Sequence, residues 1–257
     1  MAPYPLINMV LSALHHTLNK LQLYTDNYGK LSLLQQNKSL IYKSPIAFIL
    51  AKKYHLPAPV IATNIQKNFP NDKFNCHISG ESWLEFSITT ITLSDYLNEL
   101  ANFKVNYPVN NYPEITLNFP QVYIFSRCCA LLYAGHYQQI ITLDNSLFKV
   151  NKWKIEFPKT IDYITVIDKK SYEMNLIKKI INNHEILFTH NKINYLTMIN
   201  EVGRALEDIE KYCRLQGKFG INNPTLITAR LGLIALGLRH YQNLCHQVSS
   251  QFLPPEL

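Results

Sequence analysis

The feature that most constrains the fold is a long apolar stripe near the C-terminus of this 257-residue chain. Apolar side chains recur there at alternating steps of four and three residues. The stripe consists of Ile227, Leu231, Ile234, Leu238, Tyr241, Cys245 and Val248. This spacing places them on one face of an α-helix, and Asn223-Pro224 supplies a typical helix start. A helix of about 24 residues spans roughly 36 Å, which predicts a helical bundle for this half of the chain.

Three more helices are predicted in the C-terminal half. One begins at Pro120 and ends near Tyr133, one contains the stripe from Ile177 to Phe188, and one contains the stripe from Ile199 to Cys213. Residues 139–167, between the first two, are rich in β-branched and aromatic side chains, which predicts strands. The predicted strands are 139–143, 147–150, 153–157 and 163–167, with turns at Asp144-Asn145 and Asn151-Lys152.

The N-terminal third begins with a helical pattern. An amphipathic helix is predicted from about Pro5 to Leu23, and a polar stretch follows it. Ser44-Pro45 indicates the start of a second helix, with the Ser44 hydroxyl as N-cap, that ends near Tyr54. Pro57-Ala58-Pro59 then breaks the chain and opens a third helix.

Two short strands follow, at 74–78 and 83–88, and a closing helix is predicted at 93–103. In the second strand, alternation places Leu84 and Phe86 on one face and Trp83 on the other. An exposed Trp83 is the favoured interpretation, and its burial under a neighbouring helix is the alternative.

The sequence therefore predicts an α+β fold with two domains. Residues 1–103 form a small helix-and-sheet domain. Residues 104–119 contain two prolines and several asparagines without periodicity, which is typical of a linker. Residues 120–257 form the helical bundle, with residues 139–167 as a β-rich insert.

The charge of the chain favours a polyanionic partner. The formal net charge is +7. Residues 1–103 carry eight basic and six acidic side chains, whereas residues 104–257 carry seventeen and twelve. Phosphate contacts are made largely by Lys and Arg, so the C-terminal half is the better candidate for binding nucleic acid. A mildly basic protein without a nucleic-acid partner is the alternative that charge alone leaves open.

Cysteine usage and hydropathy indicate a cellular location. The five cysteines have no regular spacing, which is typical of reduced thiols. No run approaches ~18 consecutive apolar residues, so no membrane-spanning helix is predicted. The start of the chain lacks the basic region and cleavage-like site of a secretory signal. We therefore expect a cytoplasmic protein that does not bind membranes.

The motifs that usually carry catalysis or bind cofactors are missing from the sequence. There is no Gly-rich phosphate or dinucleotide loop, no Gly-x-Ser-x-Gly, no Cys-x-x-Cys and no His-Glu-x-x-His. The adjacent pairs His15-His16 and Cys128-Cys129 do not converge on one ion from a helix. Cys213 and Cys245 lie on apolar stripes and are expected to be core thiols. We expect no catalytic activity, no cofactor and no metal.

Gly217-Lys218-Phe219-Gly220 has the spacing of a backbone clamp found in some RNA-binding modules. It lies between two predicted helices, so a plain helix–helix loop is the preferred interpretation. A phosphate contact by Lys218 is the alternative.

Two parts of the chain resemble arginyl-tRNA synthetases. The first reads Ser-Pro-Ile-Ala-Phe-Ile-Leu-Ala-Lys-Lys-Tyr from Ser44, continues through Asn68-Phe69 and ends with residues 78–86. It is similar to the family's N-terminal additional domain, in which an AxAKKL helix precedes a second helix, a GxxxNF strand and a closing helix. The resemblance implies the same α+β fold here.

The second part comprises residues 121–129, the segment Tyr212-Cys213-Arg214-Leu215 and the tail from Arg230 to Leu257. It resembles the family's DALR anticodon-binding domain, in which QYAHARI, CRV and PERM motifs recur. The HIGH-like and KMSK-like nucleotide-binding motifs of the synthetases are not found in this sequence.

The resemblance implies RNA contacts in both domains. Trp83 matches the strand aromatic that faces a D-loop adenine in the family, although Glu85 stands where the family has an asparagine. Tyr123 and Arg127 match the family's anticodon-loop tyrosine and arginine. Tyr133 stands where a further family arginine lies. From the residues alone, a packed Tyr123 and a solvated Arg127 are the alternative.

Arg214, in the CRV-like motif, and Lys218 complete the set of candidate RNA-binding residues. The expected function is therefore a non-catalytic tRNA-binding adaptor or regulator. It would hold the tRNA elbow with one domain and the anticodon arm with the other. Arginine isoacceptors are the first candidates, and residues 139–167 are a candidate surface for a protein partner.

Two alternatives stay open. One is a protein-interaction scaffold that has lost RNA binding, which Glu85 and Tyr133 bring into consideration. The other is a non-catalytic subunit of an arginine-tRNA ligase.

Overall fold

The chain divides into two compact units of mixed α and β structure, which we call the N-terminal unit (Tyr4–Asp95) and the C-terminal unit (from Tyr96). The computed structural model describes residues 4–36, 39–102, 114–144, 153–167, 172–189, 193–215, 223–250 and 253–255. The mixed α and β content agrees with the predicted fold class. The boundary between the units falls inside helix α4 (Thr90–Asn102).

The N-terminal unit is built on a four-stranded antiparallel sheet with strand order β1-β2-β4-β3. The strands are β1 (Ser32–Gln36), β2 (Ser39–Ser44), β3 (Phe74–Ser79) and β4 (Trp83–Ile88). The helices are α1 (Leu6–Lys20), α2 (Ile46–Tyr54) and α3 (Ala58–Asn68), followed by the start of α4. One face of the sheet buries Tyr42, Phe74 and Phe86. The predicted alternation of β4 is confirmed, because Leu84 and Phe86 are buried while Trp83 is exposed.

The prediction missed β1 and β2, which lie in the region interpreted as a polar stretch. Strand β2 pairs with both β1 and β4, so its inward residues Leu40 and Tyr42 enter the core. Ser44 is the last residue of β2, and the N-cap of α2 is Pro45. The predicted role of Ser44 is therefore wrong in position, although its hydroxyl does accept a hydrogen bond from the Ile46 amide at 3.3 Å.

The C-terminal unit is mainly helical over its described residues. Its helices are α5 (Phe119–Tyr137), α6 (Ile164–Ile167), α7 (Tyr172–Thr189), α8 (Tyr195–Tyr212) and α9 (Pro224–Cys245). Two short strands, β5 (Thr142–Leu143) and β6 (Ile155–Phe157), pair with each other. No helix in the described ranges has the length and apolar character needed to cross a membrane.

Helix α9 is the core of this unit. It packs against α5, α6, α7 and α8, and its buried side chains surround the helix rather than forming one stripe. Two glycines permit close approach. A Cβ added to Gly232 would overlap with Ile161 Cδ1 and lie 3.0 Å from Tyr163 Oη, and one added to Gly237 would lie 3.0 Å from Leu206 Cδ2.

The predicted β-rich insert is only partly found. Strands are present at Thr142–Leu143 and Ile155–Phe157, and the predicted strand 147–150 lies outside the described residues. The predicted strand 163–167 is wrong, because Ile164–Ile167 is a helical turn. The Asp162 carboxylate accepts a hydrogen bond from the Ile164 amide at 3.0 Å, and such a side-chain contact favours a helix start over a strand.

The predicted linker 104–119 is described only from Glu114 onward. There the Ile115 amide bonds the Val248 carbonyl at 2.8 Å, so this end of the segment is fixed to the C-terminal unit. Helix α5 begins one residue earlier than predicted. Asn118 and Gln121 form a reciprocal capping box at its start.

Candidate nucleic-acid interface

Helix α5 presents a solvent-exposed stripe of aromatic side chains. Phe119 is 70% exposed, Tyr123 43% and Tyr137 78%. Arg127 lies on the same stripe, one turn after Tyr123, and Ala130 is the exposed residue that follows it. The opposite side of α5 is buried against α8 and α9. Large aromatic rings that face water at helical spacing are unusual in a packed bundle and suggest a binding surface.

The first two rings of this stripe stack on each other. The centroids of Phe119 and Tyr123 are 5.8 Å apart with an interplanar angle of 30°. The capping box fixes the helix start that carries them, since the Gln121 amide donates to Asn118 Oδ1 at 3.1 Å and the Asn118 amide donates to Gln121 Oε1 at 2.9 Å. The rings are therefore held in place before any ligand arrives.

A groove of about 260 Å³ runs between α5 and α8 beside Tyr123. Hydrogen bonds fix its walls. The Tyr241 hydroxyl donates to the Gln121 carbonyl at 3.0 Å, and Gln121 Nε2 donates to Asn200 Oδ1 at 3.0 Å. Arg204 lines the rim and is exposed. The groove thus places amide donors and a guanidinium next to an aromatic ring.

Arg127 is exposed but already engaged. Its Nη2 donates to Glu210 Oε1 on α8 at 2.7 Å. The carboxylate of Glu210 raises the pKa of Arg127, through a hydrogen bond and through its charge. The guanidinium side chain keeps 46% of its surface in water. A phosphate that approached it would compete with Glu210.

In the N-terminal unit, Trp83 is 38% exposed and lies between two neighbours. Its ring meets Phe48 edge to face at 5.6 Å, and Lys43 Nζ lies 5.2 Å from its centroid. The same lysine pairs with Glu85 at 3.3 Å, and the Ser79 hydroxyl donates to Glu85 at 2.6 Å. Glu85, which stands where the synthetases have an asparagine, therefore has a cation and a hydrogen-bond donor beside its carboxylate.

Tyr133 is half-buried in the C-terminal unit. Its ring meets Trp153 edge to face at 5.6 Å, and Trp153 is 6% exposed. Tyr133 thus contacts Trp153, which lies two residues before strand β6. Its position favours a packing role over contact with RNA.

The Arg214 side chain is exposed just beyond the end of α8, while its backbone carbonyl accepts a hydrogen bond from Arg230 Nη1 at 2.8 Å. Two tyrosines lie near it. Tyr172, the first residue of α7, and Tyr212, the last of α8, stack at 4.6 Å and 20°. The candidate contact Lys218 lies outside the described residues.

Charge is unevenly placed along the C-terminal half. Its described residues from Glu114 carry ten basic and ten acidic side chains, so the positive surplus of the sequence lies in segments that the structure does not describe. Helix α8 itself is acidic, with Glu201, Glu207, Asp208 and Glu210 against Arg204 and Lys211. The aromatic surfaces therefore lie beside a helix with mixed, net negative charge.

The other predicted features concern the cysteines and metal ligands. Cys213 and Cys245 are buried, as predicted, and burial raises the pKa of each thiol to about 12. Within the described ranges, no three His, Cys, Asp or Glu side chains come close enough to hold a metal ion.

Sequence reasoning missed Phe119, Tyr137 and the Tyr172–Tyr212 pair. The first two could have been found, since they extend the Tyr123–Arg127 face at helical spacing. The tyrosine pair joins residues forty positions apart, and no local pattern indicates such a contact.

Comparison with protein-family models, with curated proteins and with solved structures gives no match to this chain.

Proposed function

We propose that this protein binds RNA without catalysing a reaction on it, and that transfer RNA is its partner. The exposed, mutually stacked Phe119 and Tyr123 on α5 carry the proposal. Unpaired bases stack on such rings, and each stacked base contributes roughly 1–3 kcal/mol with little dependence on base identity. The adjoining groove with Asn200 and Arg204 offers hydrogen-bond donors to a base edge or phosphate.

Trp83 gives the N-terminal unit a stacking surface of its own. With Lys43 above its ring, it combines a π-face and a cation, the two features that attract nucleic acid. When two weak binding surfaces on one chain bind the same RNA molecule, the overall affinity can exceed that of either surface by about 10²- to 10⁴-fold. The resemblance to arginyl-tRNA synthetase motifs supports tRNA over other RNAs. The role proposed for the protein is a cytoplasmic tRNA adaptor.

The experiment is a titration of bulk tRNA into the full-length chain, followed by fluorescence anisotropy at two salt concentrations. An RNA binder loses affinity steeply as salt rises, because phosphate contacts release counterions. Tyr123→Ala and Trp83→Ala should each weaken binding by about 5- to 100-fold, as loss of one stacked base implies.

A matched control is Tyr24→Ala. Tyr24 is 59% exposed, and the hydrogen bonds recorded at this residue use its backbone N–H and carbonyl. This variant should bind like the parent chain. Salt-independent binding, or equal losses for all three variants, would contradict a specific aromatic interface.

The second candidate function is a protein-interaction scaffold, and the acidic face of α8 favours it. Glu207 lines the groove beside Tyr123 and Glu210 pairs with Arg127, and both repel phosphate. In that case bulk tRNA should fail to bind at any salt concentration, while Tyr123→Ala should weaken capture of a basic partner.

A further inference from the structure

The C-terminal unit carries a second aromatic surface, distinct from the stacked Phe119 and Tyr123 of the α5 stripe. Tyr172 is 42% exposed and Tyr212 55% exposed, yet their rings are nearly parallel and 4.6 Å apart. We call this pair the tyrosine platform. The two residues come from the start of α7 and the end of α8, so the contact depends on tertiary structure.

A buried ion pair joins the two chain segments that carry the platform. Glu173, adjacent to Tyr172, accepts a hydrogen bond from Arg230 Nε at 2.8 Å. The same guanidinium donates to the carbonyl of Arg214, two residues after Tyr212, at 2.8 Å. A single side chain on α9 therefore fixes the segments that carry the two rings. Such pre-organisation lowers the entropy lost on binding.

The charge around the platform is cationic on two sides. Lys211 Nζ lies 6.0 Å from the centroid of the Tyr212 ring, and Arg214 is exposed just beyond it. Of the two nearest acids along α8, Glu210 pairs with Arg127 and Asp208 lies one turn before Tyr212. Flat π-faces flanked by cations match a strand of unpaired nucleotides, whose bases stack while its phosphates pair with Lys and Arg.

The platform and the α5 groove are separated along one helix. Asn200 marks the groove and Tyr212 the platform, so about 18 Å of helix axis lies between them at 1.5 Å per residue. A stacked strand advances roughly 3.4 Å per nucleotide, so about five nucleotides bridge the two surfaces.

We propose that the tyrosine platform is a second stacking site for single-stranded RNA, which acts together with the α5 stripe on one unpaired segment of at least about six nucleotides. This inference rests on the proposed RNA binding and adds its substrate class: an unpaired loop or tail rather than a duplex. The stacked Phe119 and Tyr123 at the start of α5 hold one end of the segment and the platform holds the other.

The test is a length series of oligoadenylates of three to nine nucleotides, titrated into the full-length chain by fluorescence anisotropy. The parent protein should show a step in affinity between about five and seven nucleotides. In the double variant Tyr172→Leu and Tyr212→Leu the step should disappear, with about 5- to 100-fold weaker binding of the nine-nucleotide probe and unchanged binding of the three-nucleotide probe. Tyr172→Phe with Tyr212→Phe keeps both rings and should keep the step.

The outcomes separate the two proposals. If the leucine variant binds every length like the parent, the platform proposal is overturned while RNA binding stands. If the parent binds no probe at any length, the platform proposal is overturned, and the titration with bulk tRNA decides RNA binding separately. Thermal unfolding of the leucine variant checks its fold, and retained binding of the short probe checks it independently.

Discussion

Glu173 and Arg230 form an ion pair inside the C-terminal unit, with Arg230 Nε 2.8 Å from Glu173 Oε1. The glutamate is 1% exposed and the arginine 9%. This pair joins the start of α7 to α9 and, through the Arg214 carbonyl, to the end of α8. Three elements therefore depend on one guanidinium.

Replacing one partner should destabilise the unit strongly. Arg230→Met leaves the Glu173 carboxylate buried without its cation, at a cost of about 3–5 kcal/mol. Urea unfolding monitored by circular dichroism measures this loss. The half-exposed pair Lys179–Glu201, at 3.1 Å, is the control, and Lys179→Met should cost under about 1 kcal/mol. The double variant Glu173→Leu with Arg230→Met should recover much of the loss, and a larger loss in the double variant would contradict a charge-based cause.

Stability should fall as the solution is acidified. His184 and His240 are buried, and desolvation lowers the pKa of His184 to about 4 and of His240 to about 3. The unfolded chain takes up these protons near pH 6.5, whereas the folded chain does not. The free energy of unfolding is therefore unaffected by these histidines above that pH and decreases below it. His184 alone accounts for a loss of about 3 kcal/mol by pH 4.

The check is the slope of unfolding free energy against pH between 4 and 6.5. His184→Gln should reduce that slope, whatever its effect at neutral pH. His16 is exposed, so His16→Gln serves as the control and should leave the slope unchanged. An identical slope for His184→Gln would show that other groups govern the acid response.

Releasing Arg127 should improve RNA binding. Glu210→Gln removes the charge that competes with phosphate for the guanidinium, so affinity at low salt should rise by up to about 5-fold, the range of a surface charge interaction. The slope of log affinity against log salt should steepen by about 0.7, as for one additional phosphate contact to a single strand. Glu156→Gln, at an exposed carboxylate on β6, is the control. Weaker binding by Glu210→Gln would mean that the ion pair positions Arg127 for its ligand.

Replacement by alanine should be less well tolerated at Gly232 of α9 than at Gly203 of α8. Gly232→Ala should cost about 1–3 kcal/mol, because its Cβ would crowd both Ile161, at two of its carbons, and Tyr163 Oη, and both neighbours are buried. Gly203→Ala should cost less, since the nearest atom is Tyr241 Cε2 at 3.2 Å and alanine favours the helix. Thermal unfolding of the two variants gives the comparison, and a larger loss for Gly203→Ala would contradict this view of the packing.

The sequence predicted best where one period dominates. The spacing from Ile227 to Val248 located α9, and the alternation after Trp83 located β4. The all-round burial of α9 was not predicted, because four surrounding helices bury residues that a single stripe leaves outside. Strand β2 was missed because Leu40, Ile41 and Tyr42 are all buried, so it lacks the alternation that marks β4.

The candidate interface was predicted in part for similar reasons. Tyr123 and Arg127 were named from the resemblance and from their shared helix face, and both are exposed, but the pairing of Arg127 with Glu210 joins two helices far apart in the sequence. Tyr133 follows Tyr123 on the same helix, yet its ring packs edge to face with the buried Trp153 and it is only half-exposed. Only tertiary contacts distinguish the two tyrosines.

The central position of α9 affects how the C-terminal unit can be made. Helices α5, α7 and α8 bury their apolar faces on α9, which follows all of them in the sequence. During translation, the apolar faces of α5, α7 and α8 are therefore exposed until α9 has been synthesised and can cover them. We expect nascent chains of this protein to bind chaperones until α9 emerges from the ribosome. The aromatic surfaces of the C-terminal unit should be able to bind RNA only after that point.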